Sequence, residues 1–323
     1  MKKKTQNQIN DIEGSVTTSF EFLLKLRLKP LDLHKISRRA PGFQSGNHAS
    51  RFRGRGVDFE EVRLYQPGDD IRYIDWRVTA RHNRPYTKIF NEERNRPVFI
   101  LLDQRCSLFF GSQRKMKSVL AAELACILAG SVLKSRDRLG AVLFNDETLF
   151  ELRPQTGTRN FQSFCKEVAS FNQQLLEKKG MPPQLDMIEK AFDALTRVVK
   201  PGSLVFIISD FYHCTEQVFK NLSTLAQHNE IMGFRVYDTL EEQLPIRNLA
   251  YSNGTQRITL GINDRALLTN YAERAKKING ILESNLFQKK IPLFHFSTAE
   301  DPFLSLESLF KKSSKGISHY GQT

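Results

Sequence analysis

From residue 98 onward, apolar positions fall into short unbroken runs separated by stretches of helical period. VFILLD at 98–103 places five apolar residues ahead of Asp103, and SLVFIISD at 203–210 ends the same way on Asp210. Runs this long without polar alternation predict strands buried on both faces, as in a parallel sheet. LGAVLF at 139–144, IMGFRVYD at 231–238 and IPLFHFS at 291–297 predict three more strands, and TLFEL at 148–152 is expected to pair with the first of these. Helices are predicted at 114–134, 159–177, 185–199, 214–227 and 264–284, with a short terminal one at 302–312. The first of them, RKMKSVLAAELACILAGSVLK, is apolar on most faces and therefore central. Ser252-Asn253-Gly254 reads as a hairpin turn. Strands alternating with helices predict an α/β fold with a Rossmann-like, doubly wound and mostly parallel sheet over residues 97–315.

Ahead of this region the pattern is weaker. Residues 1–15 and 316–323 read as polar tails. Residues 16–96 form an N-terminal segment of one helix, a basic loop and a β-rich stretch. The helix, SFEFLLKLRLK at 19–29, carries Phe20, Leu23, Leu24 and Leu28 on one face and is stopped by Pro30. Such a stripe is expected to dock on its own domain. Residues 35–56 form the basic loop.

Composition narrows the function classes. The 323-residue chain is 40% hydrophobic and 26% charged, which excludes wholesale disorder. Four scattered cysteines without a CxxC pair argue against a disulfide framework or a zinc knuckle. No apolar run is long enough to cross a membrane, and no apolar stretch follows the basic start, so neither a membrane span nor a signal peptide is expected. A cytoplasmic protein is the expectation. The net charge of +13 is concentrated early, with 20 Lys/Arg against 12 Asp/Glu in residues 1–100. That excess suits an acidic partner, nucleic acid or simply a basic exterior.

In open α/β sheets, sites form beyond the C-terminal strand ends where strand order reverses. Asp103 and Asp210 stand at two such ends, and their carboxylates converge if the strands are neighbours. With Ser107, and with Ser209 or Asp186 nearby, they form an oxygen set suited to Mg²⁺ or another hard cation. Either aspartate could instead cap the helix that follows it. P-loop, GxGxxG and GxSxG signatures are absent, so neither a nucleotide loop nor a serine nucleophile is indicated. Cys106 lies near the candidate site without a sequence-local histidine, and a half-buried structural thiol is the expected reading.

The densest stretch is GRGVDFEEVRLYQPGDDIRYIDWRVTAR at 54–81. Pro67-Gly68 suits the centre of a type II turn. Asp58, Asp69, Asp70 and Asp75 stand against Arg63, Arg72 and Arg81, beside Trp76, the only tryptophan. The expected role is a network of arginine forks and carboxylates tying this segment to the sheet. A catalytic or metal role for Asp69 and Asp70 is the competing one.

The run Gly54-x-Gly56-x-Asp58-Phe59-x-Glu61-x-Arg63-x-Tyr65-x-Pro67-Gly68-Asp69-Asp70-x-Arg72-x-Ile74-Asp75-Trp76, followed by Ala80-Arg81 and VFILLD, resembles the DUF 58 family over about residues 50–300. LVFIISDF at 204–211 and VYDTLEEQLP at 236–245 fit as well. The resemblance implies a von Willebrand factor A-like (vWA) domain with a smaller β-rich segment built from residues before it. It also implies a non-enzymatic role as adaptor or partner of a MoxR-type AAA+ ATPase in assembly or maturation of a client protein. The vWA metal-ion-dependent adhesion site uses D-x-S-x-S, a threonine and a later aspartate. Carried over, its positions are Asp103, Ser107 and Asp210, with the threonine position falling near Asp186. The first serine position holds Arg105, and a DQR turn of this kind is expected in some family members. A guanidinium there supplies fixed positive charge and repels a divalent ion. Arg105 is therefore expected to pair with Asp210 or Asp103 in a degenerate site without a cofactor, Mg²⁺ or Mn²⁺ binding being the alternative. A partner carboxylate could then be taken by the metal or by Arg105. Two other functions compete: a metal-dependent hydrolase using Asp103, Asp210, Asp69 and Asp70, and a nucleic-acid binder acting through the basic N-terminal region.

Overall fold

The computed structural model describes residues 14–29, 31, 57–66, 69–92, 95–177, 184, 186–245, 249–252, 257–260 and 265–312. Both tails beyond them, the basic loop at 35–56, the Pro67-Gly68 turn and the Asn253-Gly254 turn lie outside the described residues. The chain divides into a larger unit, residues 1–44 and 96–323, and a smaller one, residues 45–95.

The larger unit is a mixed α/β fold whose six-stranded sheet has helices on both faces. Its strands are β3 (Pro97–Asp103), β4 (Arg138–Phe144), β5 (Leu149–Gln155), β6 (Leu204–Ser209), β7 (Glu230–Tyr237) and β10 (Leu293–Ser297). Their order is β10-β7-β6-β3-β4-β5. The chain starts at β3, builds outward through β4 to β5, then returns to place β6 on the other side of β3. This is the doubly wound Rossmann order, with its switch point between β3 and β6. All neighbours are parallel except β4 and β5. A tight turn explains that exception: Asn145 N–H donates to Thr148 O (3.0 Å), and Asn145 Oδ1 accepts from the amides of Glu147 and Thr148 at 2.9 and 2.8 Å. A connection this short permits only an antiparallel partner.

Alternate residues of the buried strands feed two cores. Val98, Ile100 and Leu102 face one layer, formed by α3 (Lys117–Lys134) and α4 (Thr158–Gln174), while Phe99 and Leu101 face α5 (Met187–Val198) and α6 (Glu216–Ala226). Every residue of α3 from Lys117 to Val132 is buried, as its all-round apolar pattern predicts. The helix grouped by sequence with the N-terminal segment, α1 (Phe20–Lys25), packs in this larger unit. Ser19 caps it, and Leu23 enters the core. Gly130 of α3 lets it come close, since a Cβ there would stand 2.8 Å from Arg27 Cα. Leu31 N–H donates to Ser131 Oγ at 2.8 Å and closes the contact.

The remaining elements of this unit are α7 (Thr239–Glu242), a hairpin of β8 (Leu249–Ser252) and β9 (Arg257–Leu260), α8 (Arg265–Gln288) and α9 (Pro302–Lys312). Among the described residues, no helix is long and apolar enough to cross a membrane. The smaller unit pairs β1 (Val57–Leu64) with β2 (Tyr86–Glu92) in antiparallel register, with a bulge at Phe59/Glu61. Between them lie a 3₁₀ turn, Ile71–Tyr73, and α2 (Trp76–His82), capped by Asp75.

Candidate functional site at the sheet switch point

Because β3 and β6 are parallel neighbours, with Leu102 opposite Ile208, Asp103 and Asp210 leave the sheet side by side. Arg105 follows two residues after Asp103 and folds back onto it. Its Nε donates to Asp103 Oδ1 at 3.0 Å and its Nη2 to Oδ2 at 2.7 Å, a two-pronged fork. The Arg105 amide also donates to Oδ1 (3.0 Å), and Ser209 Oγ donates to Oδ2 (2.7 Å). Nη2 then reaches the Tyr212 carbonyl at 3.2 Å and stands 3.7 Å from Asp210 Oδ1. Asp103 and Arg105 are both fully buried. The Phe144 ring lies 5.5 Å beneath the guanidinium.

A second cation completes the cluster. Lys117 opens α3, is buried, and donates from Nζ to Asp210 Oδ2 at 3.1 Å and to Glu241 Oε1 at 2.6 Å. Phe211 and His213, just after Asp210, hold left-handed φ values of 56° and 59°. That costly backbone conformation turns the chain so that the Tyr212 carbonyl faces Arg105.

The electrostatics follow from this packing. Burial opposes the charge on Lys117, but Asp210 and Glu241 more than compensate and hold its ammonium above the ordinary lysine range. Burial likewise opposes charge on Arg105, and Asp103 restores it, leaving the guanidinium firmly protonated. Asp210 is raised by burial but pulled below the usual carboxylate range by Lys117 and then Arg105. For Asp103, burial pushes the carboxyl up against the pull of Arg105.

These residues do not fit a divalent cation. Both oxygens of Asp103 already accept from the Arg105 fork, and both oxygens of Asp210 face a nitrogen cation. Among the described residues, no group of three or more His, Cys, Asp or Glu could hold a metal ion. A buried Arg105 also has no exposed edge to offer a partner's carboxylate, contrary to the sequence expectation for this site.

The other predicted residues are placed as follows. Ser107 lies in the 3₁₀ turn after Arg105, and its Oγ is buried without a hydrogen-bond partner. Asp186 stands at the surface before α5 and pairs with Lys190 at 2.6 Å; it shares no partner with Asp103 or Asp210. Cys106 donates its amide to Asp146 (2.6 Å), and burial followed by Asp146 pushes its thiol up to about 11, far from a reactive thiolate. In the smaller unit, Arg63 pairs with Asp69 at 2.7 Å and Arg72 forks onto Asp70, with Nη2–Oδ2 at 2.6 Å. Asp75 caps α2 through the amides of Arg77 and Val78. Asp58 is placed on β1 by its backbone, Arg81 lies exposed in the last turn of α2, and Trp76 begins that helix exposed.

Sequence reasoning missed Lys117, Glu241 and Asp238. The signal for Lys117 was a lysine inside an otherwise apolar helix; for Asp238 it was the acidic turn at a strand end. Asp238 is fully buried and accepts from Ser112 N (2.7 Å), Ser112 Oγ (2.5 Å), Thr298 Oγ1 (2.5 Å) and Leu240 N (2.9 Å). It thereby pins the loop after β3 to the ends of β7 and β10.

The chain is 28% identical over 222 residues to the uncharacterized protein Rv1480 of Mycobacterium tuberculosis, covering 69% of this chain and 68% of that one. It is 32% identical over 109 residues to the uncharacterized protein YeaD of Bacillus subtilis, covering 33% and 25%. Among solved structures it is similar to the conserved hypothetical protein BatB of Bacteroides thetaiotaomicron, at 15% identity and a TM-score of 0.38 over 68% of this chain and 98% of that one. It is also similar to the manganese-loaded TRAP protein of Plasmodium vivax, at 16% identity and a TM-score of 0.27 over 57% and 63%. The family model described as "Protein of unknown function DUF58" matches residues 61–279, most of the chain, and the chain belongs to that family.

Proposed function

We propose that this chain is a non-enzymatic interaction module of the vWA type whose strand-end site is held by its own cations instead of a metal ion. The observation that carries the reading is the buried Arg105 fork on Asp103. Together with Lys117 on Asp210, it supplies two positive charges between two carboxylates, the charge a divalent ion would bring. A metal-dependent hydrolase would need free carboxylate oxygens and an open coordination position. Here both carboxylates are turned inward and engaged, and the neighbouring thiol of Cys106 is not activated. The partner class we propose, on the family resemblance, is a MoxR-type AAA+ ATPase acting with this chain on a client protein in the cytoplasm.

Two measurements test this. Calorimetry with Mg²⁺ and Mn²⁺ is expected to give no binding; micromolar binding abolished by Asp103→Ala would overturn the self-contained site. Affinity capture from the native cell, with and without ATP, is expected to recover an AAA+ ATPase. Its absence under both conditions would overturn the adaptor role.

A further inference from the structure

The strand-end site is closed, so a partner must be met elsewhere. The motif stretch of the smaller unit presents an unusual surface. Trp76, the only tryptophan of the chain, is 66% exposed, Ile71 is 63% and Tyr73 is 48% exposed, all within six residues. Tryptophan is on average a strongly buried residue, and clustered exposed aromatics mark contact surfaces. Local chemistry creates this display. Asp69 is taken by Arg63, Asp70 by Arg72, and Asp75 by the first amides of α2. Those contacts fix the turn in which Ile71, Tyr73 and Trp76 keep much of their surface exposed. On α2, Val78 and Thr79 take the partly buried side, while Trp76, Arg77, Ala80 and Arg81 are exposed. Arg77 and Arg81, four residues apart, share one flank. These two and the exposed Arg84 form no ion pair among the described residues.

We propose that exposed Ile71, Tyr73 and Trp76, with exposed Arg77, Arg81 and Arg84 following them in the chain, form the docking site for an acidic protein segment carrying an apolar anchor residue. The proposal deepens the interaction-module reading and rests on it. Tryptophan, tyrosine and arginine are the residues that carry most energy in protein interfaces. The unpaired arginines set the charge of the occupant, and the exposed apolar trio sets its anchor. A base-stacking role fits less well, because Ile71 has no aromatic plane to lay on a base. A second copy of the chain would bring the arginines against each other in a two-fold contact.

The full chain carries its own reporter, since all tryptophan fluorescence comes from Trp76. The free protein is expected to show red-shifted emission, readily quenched by acrylamide. Addition of a synthetic Glu/Asp-rich peptide with one central Leu should shift it to the blue. Anisotropy of the labelled peptide should show binding weakened about tenfold or more by Trp76→Ala or Ile71→Ala. Arg77→Glu with Arg81→Glu should weaken binding and flatten its salt dependence. The variants should keep the wild-type urea midpoint, because the altered side chains are exposed. Blue-shifted, unquenched emission from the free chain would overturn the proposal. So would tighter, Trp76-dependent binding of a single-stranded oligonucleotide, or a Trp76-dependent dimer in sedimentation. Capture of an AAA+ ATPase equally by wild type and Trp76→Ala would sink this surface and leave the interaction-module reading standing.

Discussion

Arg105 sits where an ion pair yields little net stability but is costly to break. Taking both charges out of water offsets most of their attraction, so the pair stabilises the fold only while it is complete. Removing the guanidinium strands Asp103 among apolar neighbours, with Ser209 as its remaining side-chain donor. Arg105→Met is therefore expected to lower unfolding free energy by about 3–5 kcal/mol in urea titrations. Adding Asp103→Leu to that variant should recover much of the loss, because no uncompensated charge then remains. Additive losses would show that the two residues act separately. Lysine is not a substitute at this position, since it cannot place two parallel donors on one carboxylate. One guanidinium nitrogen, Nη1, is buried without a hydrogen-bond partner, so the site gives up one donor to hold its geometry.

At the scale of elements, the switch point is assembled by what leaves each strand. β3 delivers Asp103 and Arg105, β6 delivers Ser209 and Asp210, and the start of α3 delivers Lys117. Glu241 reaches Lys117 from α7, whose capping box is closed by Asp238 and Glu241 itself. Asp238 is thus the element-level fastener: its carboxylate holds the loop after β3, the cap of α7 and Thr298 after β10. Asp238→Ala removes four hydrogen bonds to a charged group and should cost about 3 kcal/mol or more. Hydrogen exchange at Ser112 should accelerate in that variant relative to the centre of α3. Unchanged protection there would mean the loop is held by its other contacts. A second buried chain of amides works on the opposite side of α3. Asn172 accepts from the Thr18 amide (2.9 Å) and donates to Gln104 (3.0 Å), which donates to Ser118 O (3.0 Å). It ties the segment before α1 to the same loop.

At the scale of the whole molecule, these clusters fix how stability responds to pH. Asp210 has a folded pKa below the ordinary 3.8, so its contribution is present above 3.8 and lost as pH falls through the folded value. Asp238, also depressed, adds in the same direction. Lys117 has a folded pKa above 10.5, so its contribution is present below 10.5 and lost as pH rises through the folded value. Asp103, raised by burial, works against Asp210 on the acid side. Melting temperature against pH should therefore fall at both extremes. Asp210→Asn should flatten the acid limb, and Lys117→Met the alkaline one. An acid limb identical in Asp210→Asn and wild type would assign acid lability to other carboxylates.

Much of this was legible in the chain. Short apolar runs bounded by turn residues read as strands buried on both faces, whereas the equally apolar run at 124–129 sits inside a stretch long enough for a helix, so the parallel sheet and its central helix were both legible in pattern and length. A polar residue closing such a run must emerge at a strand end, which located Asp103 and Asp210. The PGDDIR-IDW stretch carried the family. Sequence left open which carboxylate Arg105 meets, because both lie within reach of a flexible side chain. Packing decided it: the backbone turn at Gln104 folds the guanidinium onto Asp103, and the Tyr212 carbonyl fixes the other edge. Lys117 was invisible as a partner of this site, standing 93 residues from Asp210 and 124 residues from Glu241. Only the crossover that sets β6 beside β3 brings these charges together. Local pattern encodes what a segment does to its own neighbours; charges from distant segments meet only where the sheet order places them.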